Sequence, residues 1–261
     1  MRCSDTVTPA TLEAVFVSDL HLGSEETTRH RAVVRYLTRL RSSEDPPTLY
    51  ILGDLFNYWA GRASETAHGH RVVLEALREA AVAGVDVRVM RGNRDFLLDG
   101  RVGSRYRFSI LPDSIRLRLG SYNVFACHGD SLLLNDRAHM RFRWILQSFW
   151  LRGLADLLPR SVAGVIARRL RRRTVRLTEK KMSRLFEVPP EEAGRLYRGG
   201  YDVIICGHVH HARRRTMTVD GREHLFFSLG AWDDEASVLE FDGEEFRLTS
   251  FPIEEEEELK S

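Results

Sequence analysis

Cysteine is scarce in this sequence and is not arranged as a disulfide framework or a thiolate metal site requires. Among 261 residues there are three cysteines, an odd number, and none forms a CxxC pair. Cys127 and Cys206 lie in apolar runs, where we expect buried, small hydrophobic side chains, a redox role being the alternative. The cysteine content therefore argues against a disulfide-stapled fold and against a thiolate zinc site.

Long apolar runs are also missing. No stretch approaches the ~18 consecutive apolar residues of a membrane-spanning helix, and the N-terminus lacks the apolar segment of a signal peptide. A net charge of +2, with 43% hydrophobic and 29% charged residues, is typical of a soluble globular chain. We therefore expect a cytoplasmic protein, which could still contact a membrane surface.

The sequence does contain short apolar strands that alternate with helical patterns. Strands are predicted over 14–18, 49–52 and 85–90, with helices over 28–42 and 64–83 between them. This alternation favours parallel strands with helices on the sheet faces. The later part of the chain predicts a hairpin over 115–126 and further strands over 202–206, 213–219, 222–228, 236–241 and 246–251.

Five of the apolar strands end in Asp, Asn or His within Asp-x-His, Gly-Asp, Gly-Asn-x-Asp, His-Gly-Asp and Gly-His-x-His motifs. For a single motif, a hydrogen-bonded polar residue at a strand end is the simpler interpretation, but five in order indicate a metal centre. Oxygen and imidazole ligands without thiolate favour Mn²⁺, Fe²⁺ or Zn²⁺. We interpret Asp54 as the carboxylate that bridges two ions. The candidate ligands are Asp19, His21, Asp54, Asn93, His128, His208 and His210.

Residues next to these ligands have predicted supporting roles. The glycines beside them leave room for sharp turns at the strand ends, notably Gly92 and Gly207. Asp95 and Asp130 are candidate acceptors that would orient the second ring nitrogens of His128 and of His208.

The order of the five motifs resembles that of the calcineurin-like metallophosphoesterase superfamily, over residues 14 to about 241. The resemblance implies an α/β fold, a four-layer α/β/β/α sandwich, which here would carry a helical lid insertion. It also implies two metal ions that activate water and bind phosphoryl oxygens. Site A would use Asp19, His21, Asp54 and His210, and site B would use Asp54, Asn93, His128 and His208.

Arg94 follows Asn93, where many members of the superfamily have a histidine that protonates an alkoxide leaving group. An arginine cannot donate its proton usefully, but it can bind phosphate oxygens and stabilise developing charge. A phosphate monoester leaving group needs little protonation, so Arg94 favours cleavage of a phosphoanhydride. A simple ion pair between Arg94 and Asp95 is the alternative.

Residues 136–186 form a long helical segment that is both apolar and basic. Over 136–184 there are 14 Lys or Arg against 3 Asp or Glu. Arginines interleaved with apolar residues suit a lid over a lipid-like ligand that also contacts an anionic membrane. Helices that pack on the core with a solvated basic face, or a nucleic-acid surface, are the alternatives.

Longer stretches around Asp19, Asp54, Asn93 and His128 resemble the UDP-2,3-diacylglucosamine hydrolases of lipid A biosynthesis. That family cleaves the substrate to 2,3-diacylglucosamine 1-phosphate and UMP with Mn²⁺. The matching positions imply catalytic roles for Asp54, Asn93, Arg94 and His128. They imply substrate contacts from Trp59, Asn93, Arg94, Asp136, Phe142, Ala167, Arg171, Thr174, Thr178, Lys181 and His208.

The sequence departs from that family at several positions. Asn57 stands where an acid is usual, His139 where a tyrosine is usual, and Thr174 and Thr178 where Ser and Asn are found. These departures affect the acyl-chain preference and the exact substrate more than the metal site.

Taken together, these features predict a core over 1–135 and 187–253, a lid over 136–186 and an acidic tail over 254–261. We expect a monomer with two Mn²⁺ ions, or Fe²⁺ or Zn²⁺ in their place, peripheral on the cytoplasmic face of the inner membrane. It would bind a glycolipid nucleotide and no nucleic acid. The alternatives are activity on another lipid-linked or nucleotide diphosphate, or a non-catalytic scaffold that binds membrane or nucleic acid.

Overall fold

The computed structural model describes residues 12–133 and 188–253. The strands are β1 (Ala14–Val17), β2 (Thr48–Leu52), β3 (Asp86–Met90), β4 (Ser109–Leu111), β5 (Ser114–Leu119), β6 (Tyr122–Cys127), β7 (Val203–Cys206), β8 (Arg213–Val219), β9 (Arg222–Ser228), β10 (Glu235–Phe241) and β11 (Phe246–Pro252). The helices are α1 (Thr28–Arg41), α2 (Arg62–Glu65), α3 (His68–Val82), α4 (Gly100–Tyr106), α5 (Asp130–Leu133) and α6 (Pro190–Arg198). The predicted lid and the acidic tail lie outside these residues.

The strands form two sheets. The first has the order β11-β10-β1-β2-β3-β4, in which β1 to β4 are parallel and β10 and β11 are antiparallel additions. The second has the order β5-β6-β7-β9-β8, with β6, β7 and β9 parallel and antiparallel strands at both edges. The parallel strands are the ones whose ends carry the predicted ligands.

Alternating side chains of the central strands separate the two sides of the first sheet. Phe16 and Tyr50 stack with ring centroids 4.8 Å apart and face the second sheet, where they share a core with Val124 and Ile205. Val15 and its neighbours on the other face pack against α1 and α3. On the far side of the second sheet, α6 covers β7. Helices, two sheets and a helix therefore follow one another, which confirms the predicted α/β/β/α sandwich.

The predicted strands and α1 agree with the structure to within one or two residues at each end, but the helix predicted over 64–83 is two helices. Ala67 has an extended backbone, with φ −67° and ψ 137°, which separates α2 from α3. Close packing explains why the chain turns here, because Gly69 lies against the backbone of Glu25. The sequence also gave no prediction for α4, β4 or α6, which are short.

No helix among residues 12–133 and 188–253 is long and apolar enough to cross a membrane. Cys127 and Cys206 are both buried free thiols, as predicted. Burial raises the pKa of the Cys206 thiol to about 12, which makes it a poor nucleophile.

Candidate metal centre

The candidate ligands all follow the carboxyl ends of parallel strands, and these ends meet where the two sheets face each other. β1 is followed by Asp19 and His21, β2 by Asp54, β3 by Asn93, β6 by His128, and β7 by His208 and His210. His21 Nε2 lies 3.1 Å from His210 Nε2, although 189 positions separate the two residues. His128 Nε2 lies 3.3 Å from His208 Nδ1. Folding thus brings together residues that are far apart in the chain.

Five of the seven candidate ligands have a left-handed backbone conformation. Their φ angles are 55° for Asp19, 47° for His21, 52° for Asp54, 72° for His208 and 60° for His210. This region costs a residue with a Cβ atom ~1–2 kcal/mol, and strained residues of this kind concentrate at functional sites. The strain allows successive ligands to turn off the strand ends toward one centre.

The Asp19 carboxylate is held by one of its two oxygens. Oδ2 accepts a hydrogen bond from the His208 backbone N–H at 2.7 Å and lies 2.8 Å from the Ser18 hydroxyl. Oδ1 is buried and has no hydrogen-bond partner in the described part of the chain. It lies 3.5 Å from His210 Nε2 and 3.7 Å from His21 Nε2. Asp19 therefore presents one free oxygen to two imidazoles.

Asp54 is arranged in the same way. Its Oδ1 accepts the Arg94 backbone N–H at 2.9 Å. Its Oδ2 lies 3.8 Å from His21 Nδ1 and 3.9 Å from His128 Nε2, which belong to the two predicted sites. These separations are too long for hydrogen bonds. An oxygen between imidazoles of both sites is the arrangement expected of a bridging carboxylate.

These residues fit divalent metal ions. Ligand atoms of Asp19, His21 and His210 lie within 4.8 Å of one another, and so do those of Asp19, Asp54 and His128. Asp19 Oδ1 and His21 Nδ1 are buried without hydrogen-bond partners among the described residues, and a cation would satisfy both. A donor set of carboxylate oxygen and imidazole nitrogen suits Mn²⁺, Fe²⁺ and Zn²⁺ alike. The first group contains three members of predicted site A, whereas Asn93 is half-buried at the rim.

Burial and charge set the protonation of the histidines in the metal-free centre. Burial lowers the pKa of His21 to about 3 and that of His208 to about 4, so both rings are neutral near pH 7. Burial also opposes protonation of His128, but the carboxylates of Asp54, Asp19 and Asp130 outweigh it and raise the pKa of His128 to about 9. A neutral ring has a lone pair available to a metal, so His128 must lose a proton when it binds one.

The carboxyl groups respond to the same two influences. Burial raises the pKa of Asp54 to about 7, although the positive charge of His128 acts in the opposite direction. Burial also acts to raise the pKa of Asp19, but interactions with His210, His128 and His21 outweigh it and hold the pKa well below its usual range. Asp19 is therefore an anion in the metal-free centre.

The second ring nitrogen of His128 has a different partner from the one predicted. His128 Nδ1 lies 2.9 Å from the backbone carbonyl of Leu52. Asp95 instead connects two loops, because its Oδ1 accepts the Gly92 N–H at 2.7 Å and its Oδ2 accepts the Phe56 N–H at 3.3 Å. A backbone carbonyl orients the imidazole, so the prediction that Asp95 would do so is wrong. The sequence carries no signal for such a contact.

Arg94 lies at the edge of the centre, and its side chain is 35% exposed. Its NH1 group donates to Asn57 Oδ1 at 2.7 Å, and its Nε lies 3.5 Å from Asp54 Oδ2. The guanidinium therefore contacts Asn57 and Asp54, and the alternative of a simple ion pair with Asp95 is not what the contacts describe. Asn57 was singled out in the sequence only as a departure from a pattern.

Two of the predicted glycines have a clear steric role. A Cβ atom on Gly92 would lie 2.0 Å from Asp54 Oδ1 and 2.3 Å from its backbone nitrogen. A Cβ atom on Gly207 would lie 2.0 Å from the Ser18 hydroxyl, which also lies 3.0 Å from the Leu52 carbonyl. The sequence analysis did not identify Ser18, because a serine beside a ligand is not a distinctive signal.

The predicted substrate contacts divide into two groups. Trp59 is fully buried and stacks on Phe56 with ring centroids 4.8 Å apart, so it packs beneath the site instead of lining an open surface. The predicted lid and diphosphate contacts in the insertion lie outside the described residues and stay predictions. They are Asp136, Phe142, Ala167, Arg171, Thr174, Thr178 and Lys181.

The chain is similar to known proteins over almost its whole length. The model of the calcineurin-like phosphoesterase family matches residues 13–212. A UDP-2,3-diacylglucosamine hydrolase of Azotobacter vinelandii is 36% identical over 247 residues, which cover 93% of this chain and 100% of the relative. Proteins of the same name from Pseudomonas aeruginosa (strain UCBPP-PA14) and Proteus mirabilis are 35% and 28% identical, over 93% and 92% of this chain and 100% and 99% of the relatives.

Proposed function

The chain belongs to the calcineurin-like phosphoesterase family, and from this premise we propose that it hydrolyses UDP-2,3-diacylglucosamine to 2,3-diacylglucosamine 1-phosphate and UMP. The observation that carries the proposal is the position of Arg94 beside Asp54, within a ligand set that fits divalent metal ions. The relatives named for this reaction align with the chain over nearly their whole length. The enzyme is thus a metal-dependent hydrolase of lipid A biosynthesis.

The seven candidate ligands are proposed to hold two divalent ions, with Mn²⁺ as the natural metal and Fe²⁺ or Zn²⁺ as substitutes. When bound, such ions would neutralise charge on the phosphoryl oxygens and lower the pKa of the attacking water. Asp54 would contact both ions through Oδ2, because its Oδ1 is held by the Arg94 N–H. Asn93, His128 and His208 would complete the second ion's ligands.

Arg94 is proposed to bind the diphosphate. A guanidinium has five N–H donors in a planar fork that suits phosphate oxygens, and it stays charged at any pH of interest. Negative charge builds up on the leaving phosphate as the bond breaks, and Arg94 stabilises it without transferring a proton. A phosphate monoester leaving group does not need that proton, so the reaction class matches the residue.

The remaining parts of the proposal concern the lipid. Residues 136–186 would cover the acyl chains and contact the cytoplasmic face of the inner membrane through their arginines. The protein would act as a monomer and would bind no nucleic acid. These assignments rest on the sequence of the insertion, whose charge and apolar content were described above.

Product analysis tests the proposed reaction. Purified protein, stripped of metal and reloaded with Mn²⁺, is mixed with UDP-2,3-diacylglucosamine in detergent micelles, and UMP is measured. We expect UMP release that stops on chelation and in Asp54→Ala. Release from UDP-N-acetylglucosamine at the same rate would contradict the lipid specificity, and no release from the glycolipid would contradict the proposed function.

Arg94→Ala tests the role of the arginine. Loss of one donor that acts on transition-state charge lowers kcat by about 10²–10³-fold in comparable sites. We expect that loss with a smaller change in KM, because the contact strengthens as charge develops. A rise in KM at unchanged kcat would assign Arg94 to ground-state binding alone.

A further inference from the structure

The backbone of Arg94 is fixed on both sides of its Cα atom. Its N–H donates to Asp54 Oδ1 at 2.9 Å, and its carbonyl accepts the Trp59 N–H at 3.3 Å. Trp59 is itself fully buried, so this contact cannot move without disturbing the core. The position from which the Arg94 side chain starts is therefore well defined, but the side chain has four further torsions that the backbone does not fix.

Asn57 restrains the far end of that side chain. Its Oδ1 accepts from Arg94 NH1 at 2.7 Å, the shorter of the two contacts that the guanidinium makes near the metal centre. The other, from Nε to Asp54 Oδ2, is 3.5 Å long. The two contacts use different nitrogens, so they fix both the location and the tilt of the guanidinium plane and leave further donors for a ligand.

The base on which Asn57 stands is itself rigid. The Asn57 N–H donates to the Leu22 carbonyl at 2.9 Å, and the Leu22 N–H donates to the Leu55 carbonyl at 3.1 Å. The intervening Phe56 is held by Asp95, at 3.3 Å from its N–H. The loop that carries Asn57 is thus tied to the loops after β1 and β3, both of which supply candidate metal ligands.

Other arginines of the described chain pair with carboxylates. Arg29 contacts Asp233 at 2.7 Å and Arg88 contacts Asp86 at 2.6 Å, both far more exposed than Asp54. Arg94 differs, because its nearest side-chain acceptor is an uncharged amide and its side chain is 35% exposed. An acceptor without charge restrains the guanidinium and does not neutralise it.

We propose that Asn57 is a positioning residue that holds the Arg94 guanidinium at the metal centre, oriented for the diphosphate of the substrate. The inference deepens the proposed function and rests on it for the substrate. The amide oxygen acts through Arg94 and does not itself contact the reacting atoms. Substitutions that keep an acceptor at position 57 should then preserve the role, and substitutions that remove it should not.

The first test is kinetic. Asn57→Leu keeps the approximate size and removes the acceptor, while Asn57→Asp keeps an acceptor oxygen. We expect Asn57→Leu to lower kcat about tenfold, as loss of a hydrogen bond to a charged group does, with unchanged metal content. Asn57→Asp should recover most of kcat. Asn123→Leu, at an exposed position on β6, is the matched control and should behave as wild type.

A double-mutant cycle separates positioning from a general structural effect. In an Arg94→Ala background the proposed target of Asn57 is gone, so Asn57→Leu should cause no further loss. Loss of the same size in both backgrounds would overturn the proposal. So would a kcat for Asn57→Leu within twofold of wild type.

A measurement that does not use turnover keeps this inference separate from the proposed function. The Arg94 Nε–H group gives an NMR signal whose relaxation reports side-chain order. We expect an order parameter that falls toward the flexible range, below ~0.6, in Asn57→Leu and stays high in wild type and Asn57→Asp. Equal order in all three would refute positioning. If wild type shows the expected order but releases no UMP, the proposed function fails and the positioning role stands.

Discussion

The orientation of a carboxylate decides which of its oxygens can reach a metal ion. In Asp19 the protein occupies Oδ2 with the His208 N–H and the Ser18 hydroxyl, and Oδ1 is left without a hydrogen-bond partner in the described chain. In Asp54 it occupies Oδ1 with the Arg94 N–H. Each carboxylate is therefore prepared to bind metal through one oxygen before any ion arrives. Such preparation reduces the entropy lost on binding.

Ser18→Ala should weaken metal binding without unfolding the protein. The change removes one of the two groups near Asp19 Oδ2, and the loss of an outer-shell partner typically costs ~10–100-fold in metal affinity. Titration calorimetry of Mn²⁺ into the metal-free protein measures this directly. Ser237→Ala is the matched control, because Ser237 is equally buried and its hydroxyl has no hydrogen-bond partner among the described residues. Equal Mn²⁺ affinity in the two variants would show that Ser18 does not orient Asp19.

Among the elements, the loops after the strands determine the geometry of the centre. The loop after β3 approaches the loop after β2 so closely that only a glycine fits between them at position 92. A Cβ atom there would meet Asp54 Oδ1 at 2.0 Å and the Asp54 backbone nitrogen at 2.3 Å. A side chain could rotate away from such a contact, but a backbone nitrogen in a buried loop cannot.

Gly92→Ala should therefore displace Asp54. We expect loss of bound metal and a lower melting temperature, because overpacking of a buried site typically costs ~1–3 kcal/mol. Metal content of the purified variant and its thermal unfolding give the two readouts. Gly100→Ala is the control, since a Cβ atom there has no neighbour within 4 Å. A Gly92→Ala protein with a full complement of metal would mean that the two loops can separate at little cost.

Much of this element plan could be predicted from the sequence, because strand ends and ligand motifs coincide. Apolar runs that stop at Asp19, Asp54 and His128 indicate both where a strand ends and what it carries. The break before α3 could not be predicted, because it depends on packing of Gly69 against a distant loop. For the same reason the contact of Asn57 with Arg94 was not foreseen, since it joins loops that follow different strands.

The left-handed backbone of the ligands lies between these cases. A glycine before Asp54 and another before His208 indicated that the chain turns sharply there. The sequence did not indicate that the ligands themselves, including His21 and His210, would adopt positive φ. Local propensity opposes that conformation for residues with a Cβ atom, and it persists only because the surrounding tertiary contacts enforce it.

At the scale of the whole molecule, burial of histidines makes stability depend on pH. Burial lowers the pKa of His70, which packs between Phe56 and Trp59, and it lowers the pKa of His30 as well. Above pH 6.5, the ordinary histidine value, both the folded and the unfolded chain carry neutral rings. Below it the unfolded chain takes up protons first, so the free energy of unfolding falls as the pH falls.

His70→Gln should flatten that dependence. One histidine contributes at most ~1.4 kcal/mol per pH unit, so we expect the slope between pH 5 and pH 6.5 to decrease by up to that amount. Urea unfolding of chelator-treated wild type and variant over this range gives both slopes. The difference in stability at pH 8 reports lost packing alone and serves as the internal reference. Parallel curves for the two proteins would mean that His70 is not held neutral in the fold.

The centre also concentrates negative charge in the middle of the molecule. Asp19, Asp54 and Asp95 are at most 1% exposed, and the first two direct a free oxygen toward the same small volume. The strands that carry these groups come from both sides of the insertion, so the charges are brought together only when the two sheets assemble. A bound cation offsets their repulsion and binds the folded chain alone, which couples metal binding to global stability.

Chelation should therefore lower the melting temperature, and the size of the shift can be estimated. A ligand at a hundred times its Kd contributes ~2.7 kcal/mol, which corresponds to ~5–10 °C for a chain of this size. Scanning calorimetry with Mn²⁺ and with excess chelator measures it. In Asp54→Asn the metal-dependent shift should disappear, and the chelated variant should melt no lower than chelated wild type, because one buried charge has been removed. A chelated variant that melts well below chelated wild type would show that Asp54 supports the fold through contacts other than those with metal.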